Sequence, residues 1–273
     1  MIHIKTFVLC LEKKRETRCD INFPNLQTYF SNLTWFSAID IDKVNIDEVI
    51  HPLVKTTIQN KISDSYFFIQ GKSTIGCALS HLECMKKCIQ LNEPIIICED
   101  DIKLNNEQAS YISECLKTIP KGADFLSLVN IPLNKYDYFS GCKLRKYNSK
   151  WSRMYGPYFH GMQLYYITPK GCEIILEDAF PIYTHIDQLI GIKLNQVYNF
   201  KGYILNKKIY SMYSFLKDSG STTLGHNHTY KKFIPDNNTF ILAIFISFIL
   251  LIIYYNLNKY RKYVKQKFRF SFS

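Results

Sequence analysis

From Thr239 to Leu257 the chain reads TFILAIFISFILLIIYYNL, an apolar run without a single charge. About 20 such residues cover the hydrocarbon core of a bilayer. A core helix of this composition would need a domain packed around it, and only residues 258 to 273 follow. The run is therefore expected to be a membrane-spanning helix. Tyr254 and Tyr255 supply interfacial aromatics at one end, and Lys259, Arg261, Lys262, Lys265, Lys267 and Arg269 supply a basic anchor beyond it. The expected division is a folded domain over 1–220, a linker over 221–238, the spanning helix over 239–257 and a basic tail over 258–273.

The direction of the span is left open by two opposing arguments. The opening MIHIKTFVLCLEKKRE lacks a small-residue cleavage site and reads as a first strand, not as a signal peptide. A C-terminal anchor would then leave residues 1 to about 235 in the cytosol. The positive-inside rule would instead keep the basic tail cytosolic and carry the domain across. Sequons at Asn32, Asn227 and Asn237 are compatible with that second arrangement.

Charge narrows the partners. The net charge of +11 would suit nucleic acid, but six of the positive charges lie in the tail and residues 1 to 236 carry only +5. Lysine supplies most of the basic residues, unlike the arginine-rich surfaces that grip phosphates. No nucleic-acid partner is expected, and 47% hydrophobic residues exclude general disorder.

Ile2–Leu11 and Leu33–Ile39 read as strands. Ile75, Ala78, Leu79, Leu82, Met85 and Ile89 recur at helical spacing with charged residues opposite, which predicts an amphipathic helix over Ile75–Leu91. PIIIC after Glu93 reads as a buried strand, Asn106–Ile119 as a helix, and Asp124–Val129 and Met162–Ile167 as strands. Gly171–Leu176 and Ile186–Leu194 read as helices. This alternation predicts an α/β domain with a mostly parallel central sheet and helices on both faces. Residues 131 to 160 read as a long loop at the sheet's edge, a usual place for an acceptor site. The nine cysteines form no CxxC pair, so neither a disulfide framework nor a zinc ribbon is expected. Cys77, His81, Cys84 and Cys88 share one helical stripe, but its length of about 16 Å is too great for all four to hold one metal. The cysteines are read as a buried face.

The chemistry-bearing feature is Glu99-Asp100-Asp101, directly after the apolar strand. Three adjacent acids repel one another at the end of a buried strand, a cost that a bound divalent cation would remove. Oxygen ligands of this kind suit Mg²⁺ or Mn²⁺ bridging to a diphosphate. The same run would also serve as a solvated turn capping the next helix.

The stretch from Ser73 to Leu104, with Gly76, Ser80-His81 and Glu99-Asp100-Asp101 in this order and spacing, resembles the core motif of glycosyltransferase family 25. This is the lipooligosaccharide and procollagen galactosyltransferase family. FVLCLEKKRETR, with Arg15 and Arg18, is similar to the family's first strand and its basic follow-on. HGMQLYYITPKGCEIILE and YTHID, with Asp187, are similar to its later elements. Cys10, Glu12 and His185 stand where the family usually carries Asn, Asp and Pro. The resemblance covers roughly residues 2 to 217.

The resemblance implies a GT-A-like nucleotide-diphospho-sugar transferase fold. It also implies transfer of galactose or glucose from UDP-galactose or UDP-glucose, with inversion, to a glycan or a hydroxylysine-type protein acceptor. Asp101 and Glu99 are then the Mn²⁺ (or Mg²⁺) ligands, with Glu99 also near the donor ribose. Ser80, His81, Asp100 and Arg18 contact the donor, and Asp187 is the base. Glu99 and Asp101 would share a face if strand geometry persisted, with Asp100 opposite. Asp187 would equally suit an N-cap for a helix starting at Gln188, His81 a buried core histidine, and Arg15 a solvated helix face. A catalytically silent relative, tethered to the membrane as a sugar-nucleotide-binding scaffold, uses the same residues. A phosphotransferase is disfavoured by the lack of a GxxxxGK loop.

Overall fold

The computed structural model describes residues 1–59, 69, 71–129, 143–156, 159, 161–197 and 199–209. The expected linker, the 239–257 helix, the basic tail and residues 131–142 of the expected loop lie outside these residues. Among the described residues no helix is long and apolar enough to cross a membrane.

Three short apolar runs form the heart of the sheet. Strand β1 (Thr6–Cys10) lies between β2 (Leu33–Ser37) and β3 (Ile95–Glu99), parallel to both, with Thr6 opposite Ile96 and Leu9 opposite Glu99. All five residues of β1 are buried, as expected of a strand covered on both faces. β7 (Leu164–Ile167) runs antiparallel beside β3 and separates it from β4 (Phe125–Ser127). Then come β8 (Gly202–Leu205) and a hairpin of β5 (Lys143–Lys146) and β6 (Trp151–Tyr155). The full order is β2-β1-β3-β7-β4-β8-β6-β5.

The sheet is α/β as expected, but it is mixed and not mostly parallel. The pairings β3–β7, β7–β4, β8–β6 and β6–β5 are antiparallel. Between β4 and β7 the chain builds an edge hairpin within what reads as a loop. A parallel return would have needed a crossover connection, usually a helix. An apolar run specifies a buried strand but not its direction.

Successive residues of β1, β3, β4 and β7 alternate between two cores. On one face Phe7, Leu9, Ile95, Ile97, Phe125 and Tyr165 pack with α3 (Lys72–Leu91), α5 (Pro169–Leu176) and α6 (Ile186–Gln196). On the other, Val8, Ile96, Cys98, Leu126 and Tyr166 pack with α1 (Asp20–Gln27) and α4 (Asn106–Leu116). A further short helix, α2 (Pro52–Gln59), sends Val54 into the first core. Local chemistry sets the boundaries. Asn105 and Gln108 form a reciprocal capping box at α4, Thr168 caps α5 ahead of Pro169, and Asn92 closes α3 in the left-handed conformation.

One close approach makes a prediction. A Cβ on Gly171 would lie 2.6 Å from the carbonyl oxygen of Asp124, which also accepts from the Thr168 amide at 3.0 Å. Gly171→Ala is expected to cost on the order of 1–3 kcal/mol, because backbone must move to admit one methyl. Chemical denaturation checks this; an unchanged midpoint contradicts the packing.

Candidate active site

Because β1, β2 and β3 are parallel, their carboxyl ends meet at one edge, where Cys10, Ser37 and Glu99 emerge. Ligands of open α/β sheets bind outside such ends. An open cleft of about 660 Å³ lies there, lined by Glu12, Lys13, Ser37, Asp40 and Lys43 among others. Lys13 donates to Asp40 at 2.8 Å and to Asp42 at 3.1 Å, tying the turn after β1 to the segment after β2.

At the end of β3 the three acids part. The strand stops at Glu99, whose amide donates to the Gln163 carbonyl at 2.8 Å, and Asp100 and Asp101 form a turn. Glu99 Oε1 lies 3.3 Å from His81 Nε2. Asp100 turns the other way: Arg18 Nη1 is 3.7 Å from its carboxylate, and Asn22 donates to its carbonyl at 2.7 Å. Asp101 Oδ1 is buried with no hydrogen-bond partner among the described residues.

Burial dominates the electrostatics. It pushes the Asp100 carboxyl up to about 6; the charge of Glu99 adds to this and Arg18 opposes it. Asp101 is pushed up to about 7 by burial and then by Glu99 and Asp100. Each carboxyl is thus easier to protonate in the folded chain than at its ordinary 3.8. The associated stability is complete below about pH 4 and is lost as pH rises through about 6 and 7. Asp101→Asn is expected to raise metal-free stability at pH 8 by roughly 2–4 kcal/mol and to change little at pH 4. Melts at the two pH values test this; equal effects at both would contradict the buried, repelled carboxyl.

Helix α3 delivers the next groups. Cys77 and His81, four residues apart, lie on one face, and His81 is almost fully buried with Nδ1 2.9 Å from the Tyr165 hydroxyl. The nearest ligating atoms of Cys77, His81 and Glu99 all lie within 4.8 Å of one another. Burial, followed by the charges of Glu99, Asp187 and Asp101, pushes the Cys77 thiol well above its ordinary value. That thiol therefore stands where β3, the acidic turn and α6 converge.

Ser80 is engaged differently. Its hydroxyl donates to the Gly76 carbonyl at 2.6 Å and accepts from the Ile39 amide at 2.8 Å. A Cβ on Gly76 would lie 3.2 Å from Ile41 Cβ, so Gly76 and Ser80 together dock α3 against the chain leaving β2. Ser80 meets the cleft through Ile39.

The basic segment after β1 folds into a π-helical turn, Arg15–Cys19, and Cys19 forms a disulfide with Cys10. The bond fastens that turn to the end of β1 and sets Arg18 beside Asp100. Arg15 is half-exposed, 3.6 Å from Glu12 and 3.7 Å from Asp20, with its guanidinium over the Trp35 ring.

Asp187 lies in the first turn of α6, where its Oδ1 accepts from the Gln188 amide at 2.8 Å. The residue at the N-cap is His185. The helix begins two residues earlier than a cap at Asp187 would require.

Cys77 was legible as a helix-face cysteine, but its helical spacing from His81 does not say what that face meets. Tyr165 lies inside an apolar run, and nothing local marks it as a partner for His81. The buried-face reading holds for Cys84 and Cys88, while Cys77 is partly exposed.

No curated protein matches the chain. The model of glycosyltransferase family 25, described as an LPS biosynthesis protein, matches residues 3–190. That span is more than half of the chain and runs from β1 past Asp187, so it takes in every group converging on the acidic turn. The chain belongs to glycosyltransferase family 25.

Proposed function

We propose that the protein is a metal-dependent hexosyltransferase that moves galactose or glucose from a UDP-sugar, with inversion, to a hydroxyl of a glycan or a hydroxylysine-type acceptor. The sheet is read as a GT-A-like nucleotide-diphospho-sugar fold. The observation that carries the proposal is the acidic turn at the joint carboxyl edge of β1, β2 and β3, with Asp101 Oδ1 buried and without a hydrogen-bond partner among the described residues.

The donor set fits Mn²⁺ or Mg²⁺: Glu99 and Asp101 offer hard oxygen, and their repulsion in a buried setting is relieved by positive charge. When bound, the cation supplies charge against the leaving diphosphate. The remaining roles belong to the chain. His81 fixes the Glu99 carboxylate, and Arg18, anchored at Asp100, offers a guanidinium to the donor phosphates. Ser80 shapes the donor cleft through Ile39. Asp187 takes the proton of the acceptor hydroxyl from the side opposite the leaving group. Residues 239–257 anchor the enzyme in the bilayer as a single C-terminal span.

Calorimetric titration with UDP tests the donor site: Mn²⁺-dependent binding is expected, and no binding with or without Mn²⁺ contradicts the proposal. UDP binding without turnover on any sugar would favour the silent scaffold. Liposome flotation tests the anchor. The full chain is expected to float and a chain ending at Asp236 to stay in solution with UDP binding intact.

A further inference from the structure

The acidic turn adjoins a second kind of donor set, of which the transferase reading uses Glu99 and His81 but not Cys77. Cys77 and His81 project from the same face of α3 toward Glu99, with their ligating atoms and that of Glu99 all within 4.8 Å. Tetrahedral zinc with bonds of about 2.0–2.3 Å needs its ligands roughly 3.5 Å apart, so a modest closure of side chains would suffice. The imidazole is already oriented. Nδ1 lies 2.9 Å from the Tyr165 hydroxyl, which leaves Nε2 aimed at Glu99. A partner on the second nitrogen is the usual support of a metal-binding histidine, and a hydroxyl can accept from Nδ1–H as readily as it donates to Nδ1. These three side chains leave the fourth tetrahedral position to a water molecule or an exogenous ligand. Cys77 and Glu99 keep partial exposure, so the site is open to solvent on one side.

We propose that Cys77, His81 and Glu99 form a site for a thiophilic divalent cation such as Zn²⁺, distinct in ligand chemistry from the all-oxygen pair Glu99 and Asp101. Thiolate and imidazole favour zinc, cobalt and cadmium, whereas manganese and magnesium favour oxygen. The two sites share Glu99, so one ion excludes the other. If the transferase reading holds, Zn²⁺ then antagonises Mn²⁺-dependent turnover. Zinc binding itself does not depend on that reading.

Co²⁺ titration of the chelator-stripped full chain tests the site, without reductant so that Cys10–Cys19 stays closed. One equivalent of Co²⁺ is expected to give a thiolate-to-cobalt charge-transfer band with the visible bands of a tetrahedral centre, all removed by Zn²⁺. Cys77→Ala and Cys77→Ser should each lose the band and weaken Zn²⁺ binding by at least about 100-fold, with circular dichroism unchanged. Tyr165→Phe should keep the band and weaken binding by roughly 10-fold. Absence of the band in the parent chain, or its survival in both Cys77 variants, overturns the proposal. Loss of UDP binding alone would not, since the cobalt spectrum is read without nucleotide.

Discussion

Asp101→Ala is expected to abolish sugar transfer and Mn²⁺-dependent UDP binding while leaving the metal-free protein at least as stable as the parent at pH 8. The two halves of this result come from one feature. Asp101 is half-buried beside Glu99 and Asp100, with its Oδ1 buried and without a hydrogen-bond partner among the described residues, so its charge opposes folding when no cation is present. Removing it relieves that repulsion. It also removes a carboxylate that the proposal gives to the cation, a role worth several kcal/mol against the leaving diphosphate, so a loss in kcat on the order of 10³-fold or more follows. Kinetics and thermal melts on the same preparation check both halves. Wild-type kcat in the variant contradicts the ligand assignment, and a large loss of metal-free stability contradicts the electrostatic account.

Asp187→Asn is the second large effect. If Asp187 is the base, asparagine removes proton acceptance and lowers kcat by roughly 10²–10⁴, with UDP affinity unchanged. The fold should be indifferent, because an amide oxygen can accept the Gln188 amide as the carboxylate does at 2.8 Å, and the N-cap belongs to His185. Alanine would remove the hydrogen bond as well and so confuse the two roles. A wild-type rate in a normally melting Asp187→Asn variant would eliminate the base and direct attention to the acids of the 131–160 stretch, which include Asp137.

Particular residues show how far the sequence could be read. IIIC at 95–98 and LYYI at 164–167 announced buried strands because every residue is apolar. Nothing in either run tells that one is antiparallel to the other, since pairing direction depends on how the chain returns. The KLRK strand carries no sequence signature because all four of its residues are exposed, and an edge strand without a buried face shows no alternation. Helix α3 was legible from its periodicity, and the acidic turn stood out because three charges follow an apolar run. The convergence of Cys77, Asp187 and Asp101 was not legible. It depends on α3 and α6 meeting over the end of β3, a tertiary fact with no local signature. The Cys10–Cys19 disulfide was likewise hidden, since its two residues approach only because the chain after β1 coils back in tight turns.

If the acidic turn serves sugar transfer from a UDP-sugar, turnover must depend on both the nucleotide sugar and the cation. The most direct measurement is UDP release by the purified protein with a panel of UDP-sugars and a saccharide or hydroxylysine-peptide acceptor, in Mn²⁺ and in chelator. Acceptor-stimulated release from UDP-galactose or UDP-glucose is expected, disappearing in chelator and returning with Mn²⁺. Release that is indifferent to chelator, or no release from any UDP-sugar by protein that binds UDP, would contradict it.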